Sequence, residues 1–359
     1  MKYHHILVAL AAAVLVSCGS NTKEEQTTQG EEFPIASVTE AYQTERIEAD
    51  NIDSPAIWHG PNGEHWCLAT AKSTDVMVIY DAVTGETIQR YGETGTGEGQ
   101  YMRPNGVAVI DDMMIVVERD NHRVQITSLP DLQPLAVFGA DKLVKPYGIA
   151  VYKNGENTYR LYVTDNYETP DEQVPPAEEL DKRVHIFECT LEGGSMTAKH
   201  VSAFGETSGE GVLHVVESIA LDAEQNLLLI ADEDASENTI KVYDLEGKFN
   251  GKVLGSEYIY SQPEGIVLYE CDNGEGYWII TNQSHEQNVF SVLDRKTFQR
   301  LGSFEAVKTA NTDGIALTQK AFGPFERGAF FAVHDDGNVS CIDWKQIAGA
   351  LNLHVDCTQ

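Results

Sequence analysis

A short pattern that recurs six times constrains the fold of this chain more than any other feature. Each copy opens a β-branched apolar run after turn residues such as proline. Successive copies begin 51, 42, 70, 47 and 49 residues apart, and a repeat of this length indicates similar units that pack against their neighbours. The copies occupy residues 54–57, 105–108, 147–150, 217–220, 264–267 and 313–316.

The units contain further segments with the pattern of strands. A second apolar run ends in polar residues, a third strand follows it, and a fourth is readable in most units, as at 135–138. Six units of about four antiparallel strands predict an all-β chain folded as a six-bladed β-propeller. Two separate β domains are the alternative, but the regular repeat favours one ring. The third strands are predicted at 76–80, 124–127, 184–187, 240–243 and 289–293.

Three segments depart from the repeat. The sixth unit ends near 339–342 with one strand fewer than the others. We therefore expect residues 36–42 to supply its missing strand and close the ring. The long third interval contains residues 167–180, which are rich in proline and glutamate and are interpreted as a surface insertion. Residues 344–351 form the one convincing helix pattern.

The N-terminal residues predict an export signal and a lipid anchor. Lys2 precedes the apolar run 6–16, which is too short to span a bilayer but has the length of a secretory signal. Small residues before Cys18 resemble a bacterial lipobox, in which this cysteine is lipidated and becomes the first residue. An ordinary signal peptide with a coincidental cysteine is the alternative. The predicted domains are a lipoprotein signal peptide at 1–17, a flexible acidic tether at 18–35 and the propeller at 36–359.

The charge of the chain restricts its partners. It carries 25 Lys+Arg against 56 Asp+Glu, a net charge of −31, which would repel nucleic acid and anionic membrane surfaces. We therefore expect a monomer that contacts the membrane only through its N-terminal lipid. The expected location is the outer membrane of the bacterial cell envelope, and the acidic stretch after Cys18 resembles surface-export signals.

The cysteines give no metal motif. Five remain besides Cys18, so at least one thiol should be free, and the absence of a Cys-x-x-Cys pair leaves a zinc ribbon without support. Cys341 and Cys357 could form a disulfide. The alternative for most of the cysteines is that they are small, buried apolar residues with free thiols.

The geometry of a propeller places the polar residues of both patterns on one face. The first strand of each blade lines the channel, and its start lies at the same edge as the end of the second strand. Carboxylates that converge there would repel one another unless cations neutralise them, and oxygen ligands without a Cys or His cluster favour calcium over zinc. The converging residues are Asp53, Asn105, Tyr147, Glu217, Glu264 and Asp313 from the first pattern, and Lys72, Arg119, Asn166, Glu233, Gln283 and Asp335 from the second.

Each of these groups has a simpler alternative role. The carboxylates could cap loops or face a wet channel, although their repetition in several blades favours a cation site. Lys72 and Arg119 beside a calcium cluster could bind phosphate. Their alternative role is to form salt bridges with the neighbouring carboxylates.

At these residues the sequence resembles the β-propeller phytases, the calcium-dependent alkaline phytase family. The resemblance implies a six-bladed propeller and a phytase-like phosphatase of the 3-phytase type, in which a calcium-activated water attacks the phosphomonoester directly. Calcium is then the cofactor, and myo-inositol hexakisphosphate or a related inositol phosphate is the substrate. The motifs that carry the resemblance lie at 53–58, 146–148, 264–266, 276–277, 312–315 and 335–338.

The resemblance also implies roles for single residues. Glu217, Glu264 and Asp313 are expected to place the catalytic calcium, and Lys72, Arg119 and Tyr147 to bind substrate phosphates. The calcium ligands matched by motif are Glu45, Asp53, Glu217, Glu264 and Asp313, with Glu233 at a further acidic position; the acidic tail motif contributes Asp335. The sequence departs from the family pattern at Ser54, Gln262, Asn166 and Ser218. These departures reduce the negative charge available to bind calcium and the positive charge available to bind substrate.

A second resemblance favours recognition rather than catalysis. Residues 91–101, 104–108, 120–126 and 138–139 are similar to NHL repeats, which build propellers used mostly for binding. A non-catalytic propeller lipoprotein that binds a ligand or protein partner through the same channel face is therefore the alternative to the enzyme.

Overall fold

Six β-sheets surround a central channel in the computed structural model, which describes residues 35–255 and 257–355. Two short strands, β1 (Ile35–Val38) and β2 (Tyr42–Gln43), precede the first complete blade. The first three blades each contain four antiparallel strands in chain order: β3 (Ile52–His59), β4 (His65–Ala71), β5 (Val76–Asp81) and β6 (Thr87–Tyr91); β7 (Pro104–Ile110), β8 (Met113–Glu118), β9 (Arg123–Ser128) and β10 (Pro134–Phe138); β11 (Pro146–Lys153), β12 (Thr158–Asp165), β13 (Val184–Glu192) and β14 (Ser195–Phe204).

The last three blades repeat the arrangement, and the predicted six-bladed propeller is confirmed. The innermost strands, which are the first of each blade, contact one another around the channel. The later strands are β15 (Val216–Asp222), β16 (Leu227–Asp232), β17 (Thr239–Tyr243) and β18 (Phe249–Leu254); β19 (Ile266–Glu270), β20 (Gly276–Asn282), β21 (Val289–Asp294) and β22 (Arg300–Ala306); β23 (Ile315–Thr318), β24 (Ala329–His334) and β25 (Asn338–Asp343).

The hydrophobic core lies between the blades. Each of the six apolar clusters found in the described residues joins two neighbouring sheets, such as the cluster that packs Leu68 of β4 against Val116 of β8. The second and third strands are covered on both faces by adjacent blades, so most of their residues are buried on either face.

Closure of the ring differs in part from the sequence prediction. The expected closing segment was 36–42, but only its end contributes: the backbone N–H of Ala41 donates to the carbonyl of Cys341 at 2.8 Å, and β2 pairs antiparallel with β25, with Tyr42 opposite Cys341. β1 instead pairs parallel with β22 and extends the fifth blade. The N-terminal segment therefore joins the two last blades, which ties the start of the chain to its end.

The predicted helix is formed as α1 (Trp344–Leu351). The carboxylate of Asp343 accepts a hydrogen bond from the backbone N–H of Lys345 at 3.0 Å and caps the first turn. Trp344 is fully buried and stacks on Tyr269 of the fifth blade, with ring centroids 4.2 Å apart. No helix in the described part of the chain has the length and apolar character needed to cross a membrane.

The glycines of the repeat let neighbouring blades approach at the channel. A Cβ at Gly106 would lie 2.5 Å from the carbonyl oxygen of Tyr147 in the next blade, and one at Gly314 would lie 2.5 Å from that of Asp53. Such distances are too short for any side chain. The recurrence of glycine in the first pattern is therefore a packing requirement of the ring.

The insertion at 167–180 lies at the surface, as predicted, and contains a short 3-10 helix at Ala177–Glu179. Its start is anchored, because the Arg183 guanidinium lies 4.5 Å from the ring centroid of Tyr167.

Cys67, Cys189 and Cys341 are free buried thiols, so the possible pair between Cys341 and Cys357 is not formed. Cys271 is disulfide-bonded. The predicted lipidation site at Cys18 lies outside the described residues, as do residues 1–34.

Candidate active site at the mouth of the channel

One side chain from the start of each innermost strand points to the same end of the channel. We call these six residues the central ring: Asp53, Asn105, Tyr147, Glu217, Glu264 and Asp313. A pocket of about 330 Å³ opens above them. Its lining consists of Lys72, Tyr147, Glu217, Glu264, Gln283, His285, Asn311, Asp313 and Asp336.

Lys72 bridges two carboxylates of the ring. Its Nζ donates to Asp53 Oδ1 at 2.8 Å and to Asp313 Oδ2 at 3.2 Å, and only 11% of the lysine side chain is exposed. Burial by itself would lower the pKa of Lys72, but the two carboxylates outweigh this effect and raise the pKa. The ammonium group therefore stays charged and neutralises part of the ring, which is the alternative role foreseen for this residue.

The carboxylate of Asp53 accepts hydrogen bonds from three further residues. The Tyr147 hydroxyl donates to Asp53 Oδ1 at 3.3 Å, and the Asn105 side-chain amide donates to the same oxygen at 3.4 Å. The Ser54 hydroxyl donates to Asp53 Oδ2 at 2.9 Å. Ser54 is thus part of the site although it departs from the family pattern.

Three glutamates meet beside this network. One carboxylate oxygen from each of Glu217, Glu233 and Glu264 lies within 4.8 Å of the others. Burial, followed by the charge of Asp53, raises the pKa of Glu217 to about 7, and burial with the neighbouring carboxylates raises those of Glu233 and Glu264 well above the usual range. Burial and Asp53 raise the pKa of Asp313 to about 8. A cluster of this kind either holds protons or requires a cation.

The donor set fits a hard divalent cation. Glu233 Oε1 is buried without a hydrogen-bond partner, and its other oxygen accepts from Gln262 Nε2 at 3.3 Å. Asn105 Oδ1 is also buried without a partner. Unpaired buried carboxylate and amide oxygens are the ligands that calcium takes in proteins.

Three predicted site residues belong neither to the pocket lining nor to the carboxylate network behind it. Arg119 forms an ion pair with its neighbour Asp120 at 2.7 Å. Asp335 binds Arg46 at 2.9 Å and lies 3.7 Å from the pocket residue His285, and Glu45 is exposed. Their assigned roles in calcium or phosphate binding stay predictions.

The structure separates two kinds of polar residue at the end of each second strand. One kind caps the preceding loop: Asp165 accepts hydrogen bonds from the backbone of Val144 at 2.8 Å and Lys145 at 2.6 Å, and Asp232 does so from His214 and Val215. The next residue after Asp232, Glu233, belongs to the glutamate cluster. The next residue after Asp165, Asn166, is buried and accepts a hydrogen bond from the backbone N–H of Val216 at 3.4 Å. The capping carboxylates hold the loops that carry the central ring.

Sequence reasoning missed Asp336, His285 and Asn311, all of which line the pocket. Asp335 and Asp336 both have left-handed backbone angles, with φ of 46° and 55°, and this turn directs the second carboxylate to the pocket. The adjacent Asp-Asp-Gly turn was the available signal, but the repeat pointed to its first residue.

Two comparisons with known proteins find similarity to phytases. The phytase family profile matches residues 187–358, which include Glu217, Glu233, Glu264 and Asp313. The 3-phytase of Bacillus subtilis (strain 168) is 23% identical over an alignment that covers 96% of this chain and 93% of that protein. The chain is a six-bladed β-propeller that is similar to phytases. The resemblance found in the sequence is thereby confirmed over nearly the whole length of the phytase-like chain.

Among solved structures, the calcium-binding protein regucalcin of Agrobacterium tumefaciens superposes with a TM-score of 0.50 at 11% identity, over 86% of this chain and 95% of that one. This similarity concerns the propeller fold alone. The hydrazine synthase of Kuenenia stuttgartiensis matches with a TM-score of 0.48 at 10% identity, over 86% of this chain and 80% of that one.

Proposed function

We propose that this phytase-like protein is a calcium-dependent phosphomonoester hydrolase that releases phosphate from myo-inositol hexakisphosphate or a related phosphorylated substrate. The observation that carries the proposal is the cluster of Glu217, Glu233 and Glu264 beside Lys72 and Tyr147 in one open pocket. The similarity to the 3-phytase of Bacillus subtilis supports the same reaction class.

The carboxylates of the pocket are the groups that would hold calcium. Glu217, Glu264 and Asp313 form the open side of the cluster, and Glu233 and Asp53 lie behind them. Bound calcium would supply positive charge for a phosphoryl oxygen and would lower the pKa of water.

Lys72 and Tyr147 are the donors that would orient a phosphate. The phenol of Tyr147 stays protonated, because burial and the surrounding carboxylates raise its pKa, and so it can donate to a phosphoryl oxygen. Lys72 is bound by Asp53 and Asp313. Neutralisation of these carboxylates would free its ammonium group for the charge that develops during phosphoryl transfer.

Phosphate release tests the proposal directly. Purified protein should release phosphate from myo-inositol hexakisphosphate with calcium at neutral to mildly alkaline pH, and chelator should abolish the release. Folded, calcium-loaded protein that releases no phosphate from any inositol phosphate would refute the phosphatase and leave the alternative, a propeller that binds through the same face.

We also propose that the protein is a monomer anchored to the outer membrane through lipid on Cys18. Replacement of Cys18 with serine should move the protein from the membrane fraction to the soluble fraction, because the negative chain has no other attraction to the membrane. Cell fractionation with immunoblotting measures the effect. Serine replacement at Cys67, a buried thiol of the propeller, is the control, and an unchanged distribution of the Cys18 variant would contradict the anchor.

A further inference from the structure

Two histidines face each other at the end of the first blade that lies away from the channel mouth. His59 ends β3 and His65 begins β4, and the two residues are directly opposite in the antiparallel ladder. The Nδ1 atoms of their rings lie 2.8 Å apart, and both residues are half-buried. His59 follows Asp53 by six residues on the same strand, a distance of about 20 Å, so the pair is separate from the central ring.

A tight turn holds the two histidines together. The backbone N–H of Gly60 donates to the carbonyl of Glu64 at 2.9 Å. The carboxylate of Glu64 accepts hydrogen bonds from the backbone N–H of Asn62 at 2.9 Å and from its side-chain amide at 3.2 Å. Both rings therefore project from a hairpin that is already closed, and a ligand that binds between them has little chain entropy left to remove.

The sixth blade orients the ring of His59. Its Nε2 lies 2.8 Å from Thr318 Oγ1 on β23, and that oxygen also accepts the backbone N–H of Lys320 at 3.3 Å. Thr318 Oγ1 has a second lone pair for the hydrogen on Nε2, and in this tautomer the unprotonated Nδ1 faces His65. Histidines that bind metals are held in this way, with the other ring nitrogen donating to an oxygen.

The contact between the rings leaves a nitrogen lone pair available. Two ring nitrogens 2.8 Å apart share a single hydrogen, so the Nδ1 atoms of His59 and His65 are not both protonated. Phe322 of the sixth blade packs beside them, with its ring centroid 5.2 Å from that of His59 and 5.5 Å from that of His65. An apolar neighbour of this kind brings no competing polar group to the two nitrogens.

The distance between the nitrogens favours a metal with tetragonal geometry. With metal–nitrogen bonds of about 2.0 Å, ligands at a right angle lie about 2.8 Å apart, whereas ligands at the tetrahedral angle lie about 3.3 Å apart. Imidazole nitrogens suit copper, nickel and zinc, and copper(II) both prefers the tetragonal arrangement and binds most tightly of the three. The two rings therefore match neighbouring positions around copper(II).

Another histidine beside carboxylates, on the fourth blade, already has a cation. His214 Nδ1 lies 3.1 Å from Asp232 Oδ2, but Lys241 Nζ lies 2.6 Å from the same oxygen. A metal ion there would have to displace a buried ammonium group, which is costly. The nitrogens of His59 and His65 contact each other instead, so a metal ion between them displaces only a hydrogen.

We propose that His59 and His65 form a binding site for a divalent transition-metal ion, with copper(II) preferred. The metal takes the place of the hydrogen between the two Nδ1 atoms, and that proton moves through solvent to Nε2 of His65, so both rings stay neutral. Water fills the remaining coordination positions. Thr318 is a positioning residue that fixes the ring of His59. The bound metal would stabilise the native chain by mass action, and the site is independent of the proposed phosphatase function.

Copper titration of the calcium-loaded full chain tests the site. Calorimetry should show one equivalent of copper(II) bound in the presence of glycine, a weak chelator that suppresses adventitious surface binding, and electron paramagnetic resonance should show nitrogen ligands. His65→Ala should weaken this binding about tenfold or more, and so should Thr318→Val, which keeps the shape of the side chain but removes the acceptor. Zinc(II) should bind more weakly than copper(II). His354→Ala is the matched control, because this histidine is 63% exposed and belongs to another blade contact.

Thermal melting shows whether each variant is folded, and His65→Gln replaces His65→Ala if the alanine variant is not. Copper(II) should raise the melting temperature of the wild type and of His354→Ala but not that of the His65 variant. If the wild type shows no nitrogen-ligated copper, or if a folded His65 variant binds copper as His354→Ala does, the proposal is wrong and the histidines only close the hairpin. None of these measurements uses substrate, so the result stands whether or not the protein releases phosphate.

Discussion

Replacing Glu264 with glutamine is expected to reduce turnover of the phosphorylated substrate by about 10²-fold or more. The carboxylate of Glu264 belongs to the cluster with Glu217 and Glu233, and an amide of the same size removes a full negative charge from the group that would hold calcium. Steady-state kinetics at saturating calcium and substrate measure the loss. Calcium binding should weaken in parallel, which titration calorimetry records without reference to activity.

The melting temperature of the Glu264→Gln variant distinguishes loss of a calcium ligand from damage to the fold. Burial and the neighbouring carboxylates raise the pKa of Glu264 well above its usual range, so the folded calcium-free protein favours the protonated, neutral form, which glutamine resembles closely. The calcium-free variant should therefore melt at or above the temperature of the calcium-free wild type. Glu270→Gln is the matched control, because Glu270 lies at the other end of the same strand with its side chain 57% exposed. Full turnover by Glu264→Gln would contradict the catalytic assignment.

Calcium removal is expected to lower the melting temperature by several degrees or more, and by a larger amount at pH 8 than at pH 5. The pKa of Glu217 is raised from 4.5 to about 7 and that of Asp313 from 3.8 to about 8 in the folded chain. Groups whose pKa is raised by folding stabilise the fold below their unfolded pKa, and this contribution is lost as pH rises through the folded value. Calcium-free protein should therefore lose on the order of a few kcal/mol between pH 4 and pH 8.

Calcium should offset this loss, because it binds the ionised cluster and only the folded chain presents the cluster. Scanning calorimetry at pH 5, 6, 7 and 8, with calcium and with chelator, gives the increment due to calcium at each pH. Other carboxylates whose pKa is lowered by folding, such as Asp50 beside Arg90, contribute equally to both arms and cancel. An increment that is absent in protein first shown to contain calcium, or that shrinks towards pH 8, would exclude a calcium site at the ring.

The sequence alone determined the architecture of this chain. The spacing of the first pattern predicted six blades, and the apolar runs in each unit predicted their strands. The same pattern located the central ring, since antiparallel pairing brings the starts of the inner strands to one edge. Asp53, Tyr147, Glu217, Glu264 and Asp313 follow from the repeat without any structure.

Only the tertiary structure decided what each polar residue does. Asp232 and Glu233 are adjacent acidic residues, but the first caps a loop and the second faces the cluster, because successive side chains of a strand point to opposite sides. Strand pairing likewise determined that 36–42 serves two blades. Lys145 and Glu168 lie 23 positions apart and carry no motif, and they meet because β11 and β12 pair with Pro146 opposite Asp165. Contacts of this kind depend on the register of paired strands, which no local pattern specifies.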